Sequence, residues 1–177
     1  YQRRLRRANA MDFDDLIFNT VHLFRLHPDV LKSWQERFRH ILIDEFQDTN
    51  ALQYAWLKLL SGHESSRVNV SGAGKSAVFA VGDDDQSIFR FQGANVENME
   101  GFASMYSKDL ITVVLSNNYR STQPILDISK SLINRNDERL IKKIPGLTKD
   151  LLASNSKINH LLHNPSIKSY QTQREEM

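Results

Sequence analysis

Residues 41–48 read Ile41-Leu42-Ile43-Asp44-Glu45-Phe46-Gln47-Asp48, an apolar run that stops abruptly on two adjacent acids. A short continuous apolar run suits a strand buried on both faces, as in the parallel sheet of an α/β protein. Ligands of such sheets bind beyond the carboxyl ends of the strands, where Asp44 and Glu45 fall. One carboxylate there can hold Mg²⁺, directly or through water, while its neighbour polarises an attacking water. A strand ending on solvated acids accounts for the pair equally well, so the acids alone leave the chemistry open.

Two further apolar runs also end on polar groups, acids in the first case and amides in the second. Val78-Phe79-Ala80-Val81 leads into Gly82-Asp83-Asp84-Asp85-Gln86-Ser87-Ile88-Phe89-Arg90-Phe91-Gln92-Gly93-Ala94. Gly82 permits close backbone approach, and the Gln86 amide can meet both a phosphate oxygen and a water. Phe89 and Phe91 suit base stacking on single-stranded nucleic acid, with core packing the commoner use of such rings. The third run, Ile111-Thr112-Val113-Val114-Leu115, leads to Ser116-Asn117-Asn118-Tyr119-Arg120-Ser121-Thr122. Tyr119 can stack on a nucleobase, and Arg120 can bring positive charge to a phosphoryl group in transfer. A surface ion pair is the plainer use of Arg120.

Helices fall between these strands. Asp12 with Asp15 predicts a capping box, and Met11 with Leu16 a staple, for a helix carrying Leu16, Ile17, Thr20, Val21 and Phe24. A second helix runs from Asp29 to about Phe38. Asn50 with Gln53 opens another, through Leu52, Ala55, Trp56, Leu59 and Leu60. A further helix spans roughly Val96 to Tyr106. Ser121 is expected to cap the last, with Pro124 in its first turn and Ile125, Ile128 and Leu132 as its apolar face. The alternation predicts α/β wrapping around a parallel sheet.

Composition narrows the setting. A hydrophobic fraction of 40% is enough for a core, and the absence of cysteine excludes disulfides and zinc–thiolate sites, with a cytoplasmic location the simple expectation. No apolar stretch approaches the ~20 residues of a membrane span, so no membrane partner is expected. Net charge is only +2 but unevenly placed. Bases gather at Arg3, Arg4, Arg6 and Arg7 and again at Arg135, Arg139, Lys142, Lys143 and Lys149. Acids gather at Asp44, Glu45 and Asp48 and at Asp83, Asp84 and Asp85. Basic margins around an acidic centre suit a polyanion and a metal, and solvated helix faces explain the margins about as well.

Taken together, Asp12-Phe13-Asp14-Asp15-Leu16, Ile41 through Asn50, Val81 through Ala94 and Asn118-Tyr119-Arg120-Ser121-Thr122 resemble the motifs of superfamily 1 DNA helicases of the UvrD/Rep/PcrA type, in order and nearly in spacing. The resemblance covers about residues 8–135. It implies a partial RecA-like P-loop NTPase core, with residues 1–112 the later part of the first motor domain and 113–177 the start of the second. It implies an ATP-dependent 3′→5′ helicase acting on single-stranded and duplex DNA. Asp44 would bind the Mg²⁺ of Mg-ATP, Glu45 would be the catalytic base, and Gln86 would sense the γ-phosphate. Phe89 and Phe91 would contact bases where the family usually has tyrosine and tryptophan. Gln92 stands where a basic residue is common. Tyr119 would stack on adenine, and Arg120 would be the arginine finger.

The family's phosphate loop, Gly-x-x-x-x-Gly-Lys-Ser/Thr, is not found upstream of Asp44. Asn69-Val70-Ser71-Gly72-Ala73-Gly74-Lys75-Ser76 comes near it, but it starts on Asn69 and precedes a strand where a phosphate cradle must open a helix, so it is expected to be a surface insertion. The 177 residues alone are therefore expected to be inactive. Pro165 through Tyr170 is expected to begin another strand. Two alternatives stay open: a subunit of a helicase–nuclease, and a non-catalytic DNA-binding or interaction module on the motor scaffold.

Overall fold

A computed structural model describes residues 1–63, 76–88, 93–95, 97–144, 146–161 and 166. The chain divides into two compact units, Tyr1–Leu110 and Ile111–Met177.

The first unit begins with a short helix, α1 (Gln2–Arg7), then α2 (Phe13–Leu26) and α3 (Pro28–Arg37). The predicted capping box of α2 is present: the Asp15 N–H donates to Asp12 Oδ1 at 2.8 Å, and the Asp12 N–H donates to Asp15 Oδ2 at 3.2 Å. Met11 and Leu16, expected as a staple, are both exposed. Pro28 opens α3, where a missing N–H is harmless. Strand β1 (His40–Ile43) follows, then a 3₁₀ turn over Phe46–Asp48, and α4 (Ala51–Leu60), whose Asn50–Gln53 capping box is also formed. Strand β2 (Ala77–Ala80) lies parallel to β1, pairing Ile41 with Val78 and Leu42 with Phe79. Helix α5 (Glu97–Met105) completes the unit.

Among the described residues, two apolar clusters hold this unit. Val21, Phe24, Leu31, Leu59 and Leu60 join α2, α3 and α4, with Ile41 of β1 packed against them. Phe46, Tyr54 and Leu57 form the second, covered by Ile43, Val78, Ala80, Met99 and Phe102. Leu31 and Leu59 are each 1% exposed, so each side chain contributes about 1.5–3 kcal/mol by burial.

The strands differ from expectation in one respect. They are not buried on both faces: Ile41, Ile43, Val78 and Ala80 face the clusters, while Leu42 and Phe79 are 76% and 62% exposed. Alternation along a strand puts these two partners together on the uncovered face.

The second unit contains β3 (Asn117–Asn118), α6 (Gln123–Ile133), α7 (Leu140–Lys143) and β4 (Leu152–Ala153), with β3 and β4 parallel. Three expectations are corrected here. Ile111–Leu115 is not a strand; the ladder starts later, at Asn117, and Ile111, Val113 and Leu115 are strongly exposed. The residue preceding α6 is Thr122, not Ser121, whose N–H donates to Asn118 Oδ1 at 2.8 Å. Ile125, Ile128 and Leu132 are exposed, and Leu126 is the buried residue of α6. Arg139, counted among the basic margin, is 3% exposed, with its guanidinium donating to Asn134 Oδ1. Lys142 pairs with Asp137 and Lys130 with Asp150.

Among the described residues, no helix is long and apolar enough to cross a membrane.

Candidate active site

The site is built where β1 and β2 end side by side. Their ladder extends past the strands: the Val81 N–H donates to Ile43 O at 2.8 Å, and the Phe46 N–H donates to Val81 O at 2.9 Å. This brings Asp44 and Glu45 next to Gly82 and Asp83.

Asp44 and Glu45 are both exposed. Asp44 Oδ1 accepts the Glu45 N–H at 3.0 Å, which fixes its carboxylate at the strand end. Glu45 lies in the left-handed region, φ 49° and ψ 46°, a conformation that costs a non-glycine residue of order 1–3 kcal/mol. The chain then tightens into the 3₁₀ turn, closed by the Asp48 N–H on Glu45 O at 2.9 Å. That turn brings Gln47 back beneath Glu45.

Gln47 is 2% exposed and uses both ends of its amide. Nε2 donates to Glu45 Oε2 at 2.6 Å, and Oε1 accepts the Asp83 N–H at 3.0 Å. Asp83 continues the chain: its Oδ2 accepts from Gln86 Nε2 at 2.7 Å, and its Oδ1 accepts the Asp85 N–H at 3.1 Å. Glu45, Gln47, Asp83 and Gln86 therefore form one hydrogen-bonded line across the two strand ends. The close approach expected at Gly82 is to Gln47, because a Cβ there would lie 2.9 Å from Gln47 Oε1.

The donor set fits a hard cation. Mg²⁺ takes one or two carboxylates and completes its octahedron with water and phosphate oxygens, and Asp44 offers one exposed carboxylate at the strand end. Asp83, Asp84 and Asp85 also cluster, their carboxylate oxygens within 4.8 Å of one another, but Asp83 is engaged by Gln86 and the Asp85 N–H.

Ser76, the last residue of the near phosphate-loop match, is 4% exposed and donates its hydroxyl to Phe38 O. The other seven residues of that match, 69–75, lie outside the described residues, as do Phe89 and Phe91 and all of Pro165 through Tyr170 except Ser166.

Tyr119 and Arg120 belong to the second unit, and both are exposed. Asn118 Oδ1 receives the Arg120 N–H at 3.0 Å, and Tyr119 O receives Asn155 Nδ2 at 2.8 Å, so the backbone beneath both side chains is pinned.

Sequence reasoning assigned no part to Gln47 and counted Asp83 only within an acidic cluster. Both stood inside the quoted motifs, but nothing in residue spacing shows that a buried amide spans two strands.

These features define an α/β chain with a polar site beyond the carboxyl ends of parallel strands. The profile of the UvrD/REP helicase N-terminal domain matches residues 1–107, and the chain belongs to that family. Its relatives include the ATP-dependent DNA helicase UvrD1 of Mycobacterium tuberculosis, 46% identical over 144 residues, which are 81% of this chain. DNA helicase II of Escherichia coli is 43% identical and the ATP-dependent DNA helicase PcrA of Leuconostoc citreum 42%, over the same share. The aligned residues span only 18% of the length of these relatives.

Proposed function

We propose that this chain is part of an ATP-dependent DNA helicase of the UvrD type, with a RecA-like core and 3′→5′ polarity. The observation that carries the proposal is the line from Glu45 to Gln86, which joins a carboxylate and an amide at two adjacent strand ends. The relatives' names support ATP use and action on DNA. On this reading residues 1–112 belong to the first motor domain and 113–177 open the second.

Asp44 would hold Mg²⁺, which when bound neutralises charge developing on the phosphate oxygens. Glu45 accepts a proton from the attacking water, its carboxylate held by the Gln47 amide. Gln86 presents its amide to the terminal phosphate and reports the state of that phosphate through the turn it occupies. Phe89 and Phe91, which follow that turn in sequence, would stack on unpaired bases of single-stranded DNA ahead of the duplex. The roles of Tyr119 in adenine stacking and of Arg120 in stabilising transition-state charge rest on their motif alone.

Glu45→Gln tests the central assignment. In a full-length protein carrying this segment, ATP turnover should fall about 100-fold or more, the range for loss of a general base. Unchanged turnover and unwinding would refute that role. The 177-residue chain by itself should show negligible ATP hydrolysis, since no phosphate loop precedes Asp44 in its sequence. Robust DNA-stimulated hydrolysis by that chain would overturn this expectation.

A further inference from the structure

We infer that Gln47 is a positioning residue for the hydrolytic step, a two-ended strut that sets the Glu45 carboxylate and ties it to the Asp83–Gln86 turn. The inference rests on the reading of Glu45 as the base.

Glutamine is suited to this position by its chemistry. One end of a neutral amide donates and the other accepts, so a single side chain can serve a carboxylate and a backbone N–H together. Here it serves both while almost wholly buried, at 2.6 Å to Glu45 Oε2 and 3.0 Å from the Asp83 N–H. A glutamate would repel Glu45, a methionine would serve neither partner, and an asparagine is one methylene too short to span both. The neighbouring residues are arranged around the amide. The left-handed Glu45 turns its own carboxylate towards Nε2, and the 3₁₀ turn returns Gln47 to reach it. Gly82 leaves room for Oε1, since even a methyl group there would stand 2.9 Å from it.

The strut therefore makes the orientation of Glu45 depend on the position of Asp83, whose carboxylate holds the Gln86 amide. A shift of the turn carrying Gln86 would be felt at the base through one rigid side chain. Gln47 itself touches no reacting atom; it acts through Glu45.

The test uses a full-length protein carrying this segment, with Gln47→Met, Gly82→Ala, Glu45→Gln and the Gln47→Met/Glu45→Gln double variant. Gln47→Met should lower kcat for ATP at least tenfold with KM within about twofold. It should cause no further loss in the Glu45→Gln background. Gly82→Ala, which displaces the amide without removing it, should lower kcat in the same direction and serves as the test if Gln47→Met does not fold. In the 177-residue chain, the Gln47 side-chain amide protons should exchange slowly, and their NMR resonances should move on Glu45→Ala. Wild-type kcat in folded Gln47→Met, an equal further loss in the Glu45→Gln background, or a fast-exchanging Gln47 amide would each overturn the inference. If Glu45→Gln itself retains full turnover, the base assignment fails instead, and the amide resonances still report whether the strut exists.

Discussion

Ile41-Leu42-Ile43 and Ile111-Thr112-Val113-Val114-Leu115 look alike as sequence, yet only the first is a strand. The first run has a parallel partner in β2 and two apolar clusters against one face. The second has no ladder at all among the described residues, and Ile111, Val113 and Leu115 are 87%, 74% and 77% exposed. β-branched apolar residues fit a pleated, half-buried surface; they do not create one. A run becomes a strand where something pairs with its backbone and covers a face, and the two runs differ in that alone.

The contrast can be strained from its strongest element downwards. Leu59→Ala opens a cavity in the cluster that covers Ile41, and should cost about 2–5 kcal/mol in denaturant unfolding of the first unit. A loss well under 1 kcal/mol would mean that β1 does not depend on this cover. Ile43→Ala removes a half-buried contact with the second cluster and should cost about 1–2 kcal/mol, while Val113→Ser should stay within about 0.5 kcal/mol. Equal losses at the two sites would show that the second run is packed after all. Asn50→Ala deletes the acceptor for the Leu52 and Gln53 N–H groups and should cost about 1 kcal/mol, measurable as a lower unfolding midpoint.

The smallest effect is a pH dependence at Asp12. The Asp15 N–H donating to its carboxylate holds its pKa below the usual aspartate range, outweighing the opposing effect of desolvation. A depressed folded-state pKa contributes stability above the unfolded value, about 3.9, and that contribution disappears as pH falls through the folded value. Asp12→Asn should therefore flatten the acid limb of the stability profile and leave it unchanged in slope near neutrality. An acid limb identical to that of the wild type would show that the capping interaction does not discriminate between the ionised and protonated forms.

The parts legible in the sequence were those decided locally or by strong patterning. Both capping boxes join residues three apart, so Asp12–Asp15 and Asn50–Gln53 can be read directly. β1 and β2 matched their apolar runs, but the like run at Ile111–Leu115 is not a strand, so the pattern located them only where a partner and a cover were also present. The parts missed depended on distant groups. Ser121 is a good cap by type, but the helix begins one residue later, after Thr122. Ile125 and Ile128 satisfy a helical period as well as Leu126 does, and only the packing of the second unit selects Leu126. β4, two residues long, carries no periodicity to detect. At the candidate site, Asp44, Glu45 and Gln86 were singled out by type and place, and the structure joins Glu45 to Gln86 by hydrogen bonds, whereas Gln47 becomes visible only when two strands lie side by side.

The left-handed backbone of Glu45 has a consequence for how such a protein changes over generations. Glycine would occupy φ 49° without steric penalty, so Glu45→Gly should relieve backbone strain while deleting the carboxylate. If Glu45 is the base proposed above, backbone strain and turnover pull in opposite directions at this one residue. The relieved strain is set against the buried Gln47 amide, which would lose its acceptor, so the net change in stability at this position is the difference between two opposing effects of similar size.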